Sequence, residues 1–585
     1  MRLVEYIDQV AQVHTWAELQ VADIADASVL RLLQYFAYLG DPPAQKRTLT
    51  LSQIIKHGKH EATGYFKLPC YSRRGDNNGY QGYPYRHWIR YTFNYGQDVK
   101  AGFVGAQDAG EPFFARPNTL GYDHYSFYLQ LKNRGRLKSL VVGRYRLRMG
   151  AGLIMNTSYS FGKLSAINSL ERQTTTLSGH SSRSDANYLQ GAAATVDLCK
   201  NIEASAFVSY RKIDATLNAD SLTVATILKS GYHRTQSEID RKNNTEQTIW
   251  GGNAAYHHGP LRVGLTAVYN SYNRRLNPDT TKLYRRYAAT GDRFWNIGAE
   301  YSYTAPRVAF SGETATGNSG GIATVNRLCY IPSQTLSLTA IQRFYSYRYQ
   351  ALMGRSFAEG SQVNNESGLY LSATWHMARR WTLLAYTDYA YFAWPRYGIS
   401  LASHTWDNLL QAEFKRGNIT WQMRYRIKMK QKDNATHNAL TDYTIHRAQT
   451  ALNINCGQWT SKTMAAMAYN SADGGSTGWT AGQQVRYSGK WLQATAWVSY
   501  FDTDDYDSRI YSYEYGLLYS YAVPAFYGNG LRYALTARAN VAKSVTLAVK
   551  VSATEYLDRN SISSGLQQID SNWQTDIEMQ ARVRF

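Results

Sequence analysis

The last strand of the chain limits its fold more than any other feature. Residues 573–585, WQTDIEMQARVRF, alternate between a mostly apolar phase that ends on Phe585 and a polar or charged phase. A β-strand points alternate side chains to opposite faces, so this strand has one oily face and one charged face. A soluble sandwich can bury such an oily face in its core. The terminal aromatic residue favours a membrane barrel, in which Phe585 lies in an aromatic girdle while Arg582 and Arg584 face the lumen.

The composition supports the same interpretation. The 585 residues include 48 Tyr, 14 Trp and 44 Gly but 12 Pro, and the mean hydropathy is −0.46. Many Tyr and Trp at low mean hydropathy suit strands whose two faces differ, and they suit aromatic belts at a membrane interface. No run of about 18 apolar residues occurs, so no helix is expected to cross a bilayer. A membrane protein without such a run has one backbone solution left, the closed barrel.

Strand-like alternation continues over most of the chain, from about residue 62. Clear examples are GLYLSATWHM, ITWQMRYRIKMK and VTLAVKVSAT. Tight connections such as HHGP and KRGN alternate with long polar ones, which is the asymmetry between the two rims of a membrane barrel. The pattern gives 25 strands. Since single-chain bacterial barrels have even numbers, we predict 24 or 26 and suspect residues 508–530, where turns cannot be placed. The expected fold is therefore all-β, a large transmembrane antiparallel β-barrel over residues 60–585.

The N-terminal segment, residues 1–45, is expected to be a short periplasmic helical pair ahead of the barrel. TWAE at 15–18 is a capping box, and VLRLLQYF at 29–36 gives an oily helix face. Met1 leads directly into RLVEYIDQVAQV, which lacks the apolar core of a secretory signal peptide. Because a barrel in the bacterial outer membrane must first cross the inner one, we expect that the sequence begins after its signal peptide.

Several stretches together resemble a family of Bacteroidota outer-membrane proteins labelled helix-hairpin-helix domain-containing. They occur in order along most of the chain: 15–36, TWAELQVADIADASVLRLLQYF; 102–114, GFVGAQDAGEPFF; 121–131, GYDHYSFYLQL; 142–163, VGRYRLRMGAGLIMNTSYSFGK; 181–195, SSRSDANYLQGAAAT; 208–217, VSYRKIDATL; and 501–533, FDTDDYDSRIYSYEYGLLYSYAVPAFYGNGLRY. The resemblance implies an outer-membrane location and a barrel fold, and no established biochemical activity.

One departure from a DNA-binding helix-hairpin-helix lies in the link between the two helices. Such a hairpin uses glycine so that backbone amides can approach a phosphate. Residues 21–26 contain no glycine, and Asp23 and Asp26 would repel a phosphate. Nucleic acid is therefore not an expected partner. The expected partners are outer-membrane lipid and lipopolysaccharide, the barrel-assembly machinery, and a periplasmic protein that binds residues 1–38.

The charge balance is strongly basic, with 64 Lys and Arg against 43 Asp and Glu and a formal net charge of +21. Arg144, Arg146 and Arg148 share one strand face, where they can form a basic ladder for anions or neutralise carboxylates of neighbouring strands. The charges are dispersed, which is typical of solvated faces. A loop at 151–186 carries enough apolar residues to fold, either inward as a constriction or outward as a cap.

The clusters that could carry other chemistry are weak. Asp502, Asp504, Asp505 and Asp507 can hold calcium in a rim loop or form a solvated acidic loop. GNSGG at 317–321 has the spacing of a nucleophile elbow but lies between predicted strands, and the Ser residues around His180 are adjacent in one loop, unlike a catalytic triad. The four cysteines have no metal-binding spacing. We therefore expect neither an enzyme nor a cofactor or metal.

Three functional hypotheses remain. The first is a channel or transporter for polar or anionic solutes, which requires a wet path through the lumen. The second is a structural or assembly scaffold of the outer membrane with a plugged lumen. The third is DNA binding or uptake through the helical segment, which the missing hairpin glycines disfavour.

Overall fold

The computed structural model describes residues 32–33, 37, 50–158, 162–170, 175–184, 186–360, 362–521 and 523–585. Nearly all of residues 1–45 lie outside this part of the chain, so the predictions for the helical pair stay predictions.

The described chain forms one closed antiparallel barrel of 24 strands. In chain order the strands β1 to β24 are Lys59–Pro69, Arg86–Tyr95, Val99–Gln107, His124–Arg134, Leu137–Arg148, Leu189–Cys199, Ile202–Ile213, Thr245–His258, Leu261–Leu276, Gly291–Thr304, Val308–Gly317, Ile322–Ser333, Leu336–Tyr345, Glu366–Ala378, Trp381–Phe392, Ser403–Arg416, Ile419–Asp433, Leu440–Cys456, Trp459–Asn470, Ser476–Ser488, Leu492–Thr503, Asn529–Asn540, Val545–Tyr556 and Trp573–Arg584. The barrel closes where β1 pairs with β24, from Glu61 opposite Arg584 to Pro69 opposite Asp576.

The strand number is the smaller of the two predicted values. The suspected stretch at 508–530 contributes two strands of two residues, Ile510–Tyr511 and Ala525–Phe526, which pair with each other and not with the barrel. The extra strand in the sequence-based tally is therefore explained by a segment that alternates like a strand but is not part of the wall.

Other elements of regular structure are short. The helices are α1 to α4, Leu51–His57, Arg74–Asn77, Gly162–Leu170 and Gln236–Ile239, with 3-10 turns at Leu283–Arg285, Ala472–Gly474 and Gly565–Gln567. Three further short strands are Thr176–Gly179, Ala215–Leu217 and Val224–Ile227. Within the described chain, no helix is long and apolar enough to cross a membrane.

The two rims of the barrel differ as predicted. Connections at one rim, the short-turn rim, are tight, and several turn on a glycine with positive φ, such as Gly135 at +60° and Gly417 at +57°. Connections at the other rim, the long-loop rim, include the segments 149–188, 214–244 and 504–528.

The outer surface of the wall suits a bilayer. On β24 the apolar phase is exposed, as at Met579 and Val583, whereas Asp576, Glu578 and Arg582 are buried inside. Exposed tryptophans form a girdle near each rim: Trp375, Trp421, Trp459 and Trp491 near the short turns, and Trp250, Trp295, Trp406, Trp479 and Trp573 near the long loops. An apolar band between two aromatic girdles is the surface of a transmembrane barrel.

Candidate functional site

Two segments enter the lumen from the long-loop rim. We call the described residues within 149–188 the inner loop and those within 504–528 the inner strap. The inner loop begins after β5 parts from β4 at Gly143, beyond which β5 pairs with Thr176–Gly179. Gly143 has φ +100°, and a Cβ there would lie 2.4 Å from a carbonyl oxygen of β4. The inner loop has the inward arrangement, one of the two predicted for it, because Lys163 and Leu153 contact the buried carboxylates of Asp407 and Glu313 on distant strands.

The inner loop packs against a distant part of the wall through apolar side chains. Leu153, Ile154 and Met155 are fully buried, in one cluster with Tyr345 at the end of β13 and Tyr349 just beyond it. The Tyr349 hydroxyl donates a hydrogen bond to the carbonyl oxygen of Leu153 at 3.2 Å. This apolar contact fixes the start of the inner loop inside the barrel.

Two glutamates of the wall contact the start of the inner loop. Glu300 on β10 and Glu313 on β11 are directly opposite each other, and the backbone N–H of Leu153 donates to Glu313 Oε2 at 3.2 Å. At Gly150, φ is +55° and a Cβ would lie 2.6 Å from Glu300 Oε2 and 2.8 Å from Glu313 Oε2. The close approach thus depends on glycine at position 150.

A single lysine of the inner loop, Lys163 on α3, meets three carboxylates. Its Nζ lies 2.7 Å from Glu359 Oε2, 2.5 Å from Asp388 Oδ2 and 2.7 Å from Asp407 Oδ2. The same carboxylates also pair with wall cations, namely Arg343, Arg426 and Lys428. Lys163 therefore joins the inner loop to a charged network on β15 and β16 and on the loop before β14.

The inner strap runs down the other side of the lumen. Its Glu514 accepts hydrogen bonds from Arg532 at 2.7 and 3.0 Å and pairs with Lys550 at 3.1 Å. Further down, the Tyr519 hydroxyl donates to Glu61 Oε1 at 3.2 Å. Since Glu61 is the third residue of β1 at the short-turn rim, the strap spans almost the whole depth of the barrel.

The two inner segments touch each other. Arg183 of the inner loop donates from Nη2 to the carbonyl oxygen of Tyr519 at 3.1 Å, and its guanidinium lies 5.0 Å from the Trp88 ring. The guanidinium of Arg90 lies 3.9 Å from the Tyr519 ring. These contacts between arginines and aromatic rings join the inner loop, the strap and the wall.

Between the inner loop and the long-loop rim lies a cavity of about 100 Å³, which we call the basic pocket. Its cationic lining residues include Arg144, Arg211, Lys229 and Lys242, and its carboxylates are Asp123 and Asp214. Two of the guanidiniums face the ring of Tyr188, at 4.3 Å for Arg144 and 5.2 Å for Arg211. Among the described lining residues, cations thus outnumber carboxylates.

His233 is held between two carboxylates at the edge of the basic pocket. Its Nδ1 lies 2.6 Å from Asp123 Oδ2 and its Nε2 lies 2.9 Å from Asp214 Oδ2. Burial alone would lower the pKa of His233, but the hydrogen bonds to both carboxylates raise it to about 10, so the ring is an imidazolium. Burial, and then the negative charge of Asp123, raise the pKa of the adjacent Glu111 carboxyl to about 8.

Within the described part of the chain, Glu111, Asp123 and His233 form the group of side chains close enough to share a metal ion. Both ring nitrogens of His233 already face carboxylate oxygens, and Lys242 lies 2.5 Å from Asp123 Oδ1. An ammonium and an imidazolium occupy the positions that a metal would need. The arrangement fits a charged clamp between two loops better than a metal site.

The three arginines of the predicted ladder lie in three different settings. Arg144 donates to Gln190 at 3.1 Å and lines the basic pocket, whereas Arg146 donates to His180 Nδ1 at 3.2 Å. Arg148 is buried and donates to the carbonyl oxygen of Gly150. A continuous ladder for anions stays a prediction, but Arg144 lies where an anion could enter.

The four aspartates of the predicted calcium loop mostly bond to their own surroundings. Asp504 accepts from the backbone N–H of Thr477 at 2.7 Å, and Asp505 accepts from the N–H groups of Asp507 and Ser508 at 2.9 Å each. Asp502 belongs to the end of β21. Calcium binding here stays a prediction.

Phe585 lies at the short-turn rim. Its ring stacks on His60 at 5.1 Å, and its carbonyl oxygen accepts a hydrogen bond from the His60 N–H at 2.8 Å. It continues the exposed phase of β24 and is itself 70% exposed. The role of Phe585 in an aromatic girdle stays a prediction. GNSGG at 317–321 forms the connection between β11 and β12, so it is a hairpin turn.

The sequence did not reveal the residues that close the lumen. Lys163, Glu514 and His233 have no local motif, because each meets partners that are distant along the chain. One signal was available: Asp388 and Asp407 are directly opposite on β15 and β16. Like charges at opposed positions destabilise a sheet, so such a pair requires a cation from elsewhere.

Comparison with known proteins gives structural neighbours at low sequence identity. No protein-family model matches the chain, and no curated protein matches it by sequence. The siderophore receptor PirA from Acinetobacter baumannii is similar over 90% of this chain and 80% of its own, with a TM-score of 0.44 and 8% identity. A mutant of the ferric enterobactin receptor PfeA from Pseudomonas aeruginosa gives the same values. The copper transporter OprC is similar over the same shares, with a TM-score of 0.41 and 10% identity.

Proposed function

We propose that the protein is a gated transporter of the bacterial outer membrane, which admits a small polar or anionic solute and uses the inner loop as its gate. The observation that carries this proposal is the way the inner loop is held. Its Lys163 ammonium sits among Glu359, Asp388 and Asp407, so the inner loop meets the lumen wall through ions as well as through apolar packing.

Ionic closure suits a segment that must open. Burying charges away from water costs several kcal/mol per ion, so a permanent plug would gain more from apolar packing alone. In a lumen that can fill with water, the same charges become hydrated when the gate opens. The open state is then less unfavourable in free energy than it would be if opening exposed apolar side chains alone. A gate with ionic contacts can therefore have closed and open states of similar free energy.

A scaffold with a permanently closed lumen is the second candidate. The apolar cluster around Leu153, Ile154 and Tyr349 favours it, because these side chains are fully buried and would be exposed to water if the inner loop moved out. The partners expected from the sequence belong to either candidate: lipid and lipopolysaccharide on the apolar outer band, the barrel-assembly machinery, and a periplasmic protein at residues 1–38.

Single-channel recording in planar bilayers separates the two candidates. The native protein would be compared with a version whose residues 151–186 are replaced by a short Gly-Ser loop, and with one whose residues 508–524 are replaced in the same way. A gated transporter gives intermittent, anion-selective openings in the native protein and a large steady conductance without the inner loop. A native protein that stays silent at every voltage and with every anion, while the shortened version conducts, is a plugged scaffold and contradicts the proposal.

A further inference from the structure

We infer that the lumen binds an elongated polyanion along a row of cations on β17, and that this polyanion is the solute of the proposed transporter. The inference rests on the proposed function and adds the chemical class of the solute and its path. We call the cations that alternate along this strand the β17 ladder: Arg424, Arg426, Lys428, Lys430 and Lys432.

The β17 ladder faces the lumen. Alternate side chains of a strand point to one face, and Arg426 on this face pairs with the buried Asp407, whereas Trp421 on the other face belongs to the outer girdle. Neighbouring members are about 7 Å apart, and the ladder extends for about 27 Å, from Lys432 at the long-loop end of the strand to Arg424. Cations at such regular spacing match a chain of anionic groups better than one small ion.

The inner face of β17 borders open lumen. On β9 every inward residue from Arg262 to Tyr272 is buried, because the inner segments cover that side of the wall. None of the 15 residues of β17 is buried, and on β18 the single buried residue is Ala451. The paired residues Arg424 and Gln449 of these two strands are both exposed. A solute can therefore reach the ladder without displacing apolar packing.

The carboxylates near the ladder are already paired with other cations. Four cations meet four carboxylates in the network around the inner loop: Lys163, Arg343, Arg426 and Lys428 with Glu359, Glu366, Asp388 and Asp407. Lys432 pairs with Asp473. Among the described residues, no carboxylate lies within ion-pair distance of Arg424 or Lys430, whose charges interact with Asp407 and Glu359 at longer range. The ladder thus has positive charge in excess of what the wall neutralises.

Arg447 on β18 adds another cation beside the ladder. It lies directly opposite Arg426, and like charges at opposed positions destabilise a sheet. Its Nε is buried and has no hydrogen-bond partner in the part of the chain that the structure describes. The wall thus gives this guanidinium a repulsive neighbour and no carboxylate. An anion that binds Arg426 and Arg447 together lowers their repulsion.

The exposed face of the inner strap forms the other side of this open space. Tyr511, Tyr513 and Tyr515 are exposed, whereas Ser512 and Glu514 between them are buried toward the wall. The guanidinium of Arg447 lies 5.8 Å from the Tyr511 ring. The path is therefore bounded by cations on one side and by tyrosines on the other, and both can donate hydrogen bonds to anionic oxygens.

Calorimetric titration of the full-length protein in detergent micelles, at constant ionic strength, tests the class of solute. The elongated probes are tripolyphosphate and trigalacturonate, and citrate carries three carboxylates in a compact form. We expect one equivalent of at least one elongated probe to bind about tenfold more tightly than citrate. Tighter binding of tripolyphosphate assigns the path to phosphate chains, and tighter binding of trigalacturonate assigns it to acidic sugar chains. The inference is wrong if no probe binds, or if citrate binds as tightly as both elongated probes.

The variants Lys430→Gln and Arg447→Gln test the residues. Each removes one cation without breaking an ion pair, so the urea midpoint for unfolding in lipid vesicles should stay the same, or rise for Arg447→Gln because a like-charge contact is lost. Loss of a charge-assisted hydrogen bond should weaken binding of the elongated probe about tenfold. Lys282→Gln is the matched control, since Lys282 is an exposed lysine on a loop, paired with Asp279 at 3.5 Å. Unchanged affinity in both variants, with lower urea midpoints, would show that these cations are structural.

Failure of this inference is distinguishable from failure of the proposed function, because the titration needs no bilayer. A protein that binds an elongated polyanion through Lys430 and Arg447 yet never conducts retains the ladder as a binding site and contradicts the gated transporter. A protein that conducts anions, with an affinity that neither substitution changes, retains the transporter and contradicts the ladder.

Discussion

The inner loop and the inner strap both fill the lumen, but they are held differently. The inner loop crosses to a distant wall and combines a buried apolar cluster with the ions around Lys163. The strap packs on strands that are close to it in sequence: its Glu514 pairs with Arg532 on β22 and Lys550 on β23. Its lower half rests on aromatic and arginine side chains, such as Tyr519 on Arg90.

This difference suggests different roles: the inner loop closes the lumen, and the strap lines it. Moving the inner loop breaks contacts to several strands at once, so its release is expected to be cooperative and to open a wide path. The strap lies along the wall for almost the whole depth, and its loss would widen a path without creating one. The following predictions test whether the inner loop is the gate and the strap is a lining.

The largest effect is expected from Lys163→Met. The substitution leaves three carboxylates with fewer cations, and breaking a buried ion pair by removing one partner costs about 3–5 kcal/mol. We expect a lower urea midpoint for unfolding in lipid vesicles and frequent, larger openings in bilayers. Lys282→Met, on an exposed loop, is the control. Unchanged conductance in Lys163→Met would show that the ions do not hold the gate.

A smaller effect on conductance is expected from Glu514→Gln in the strap. The amide keeps part of the hydrogen bonding to Arg532 but leaves two buried cations without a carboxylate, which costs up to about 3–5 kcal/mol of stability. The urea midpoint should fall while the open frequency stays near that of the native protein. Adding Lys550→Gln should recover part of the stability, since it removes one of the two cations. If Glu514→Gln increases the conductance as much as Lys163→Met does, the strap closes the lumen as the inner loop does, and the proposed difference between the two segments is wrong.

Gly150→Ala tests the start of the inner loop, and Gly320→Ala is its matched control. Both Gly150 and Gly320 have positive φ, +55° and +68°, but a Cβ at Gly320 meets open space. Gly320→Ala therefore reports the backbone cost alone, about 1 kcal/mol. Gly150→Ala adds contacts at 2.6 and 2.8 Å with Glu300 and Glu313. We expect a lower urea midpoint for Gly150→Ala than for Gly320→Ala, and equal midpoints would mean that the start of the inner loop can shift to make room for a Cβ.

These contrasts also show how much the sequence could predict. Period-two alternation, the tight turns and the need for an even strand number led to a closed barrel of 24 or 26 strands, and 24 are observed. Alternation failed as a guide to the strap, because YSYEYGLLYSY at 511–521 alternates like a wall strand while it lies inside the lumen. Alternation shows only that the two faces of a segment have different surroundings. Inside the lumen, one face can pack on the wall while the other faces the open space.

The site was less accessible to sequence reasoning than the fold. The arginines of β5 were selected from their spacing, yet Arg144 and Arg148 end in different environments because β5 leaves β4 at Gly143. The partners of Lys163 lie on separate elements, from Glu359 to Asp407. Such contacts follow from strand register and from the path of a long loop, and neither is encoded in a local pattern.

The smallest predicted effect on conductance concerns pH, because the titrating groups lie in the loops at 108–123 and 228–244, which adjoin the inner loop but belong to neither inner segment. The pKa of His233 is raised from 6.5 to about 10, so the stabilisation from its carboxylate contacts is complete below about pH 6.5 and is lost as pH rises through 10. The pKa of Glu111 is raised from 4.5 to about 8, so the folded protein keeps a proton that the unfolded chain releases, and stability also falls as pH rises between those values. Both groups weaken the junction of the loops at 108–123 and 228–244 as pH rises from 6.5 to 10.

Hydrogen–deuterium exchange, corrected for the intrinsic pH dependence of amide exchange, measures this effect. Protection of the amides at 230–243 and 186–188 should decline several-fold over that range, because both segments line the basic pocket. The strap at 514–520, which is remote from the pocket, provides the internal reference. His233→Gln should flatten the decline, whereas His437→Gln, an exposed histidine paired with Asp433, should not. If the strap loses protection in parallel, the whole lumen responds as one unit, and the inner loop and the strap are not independent.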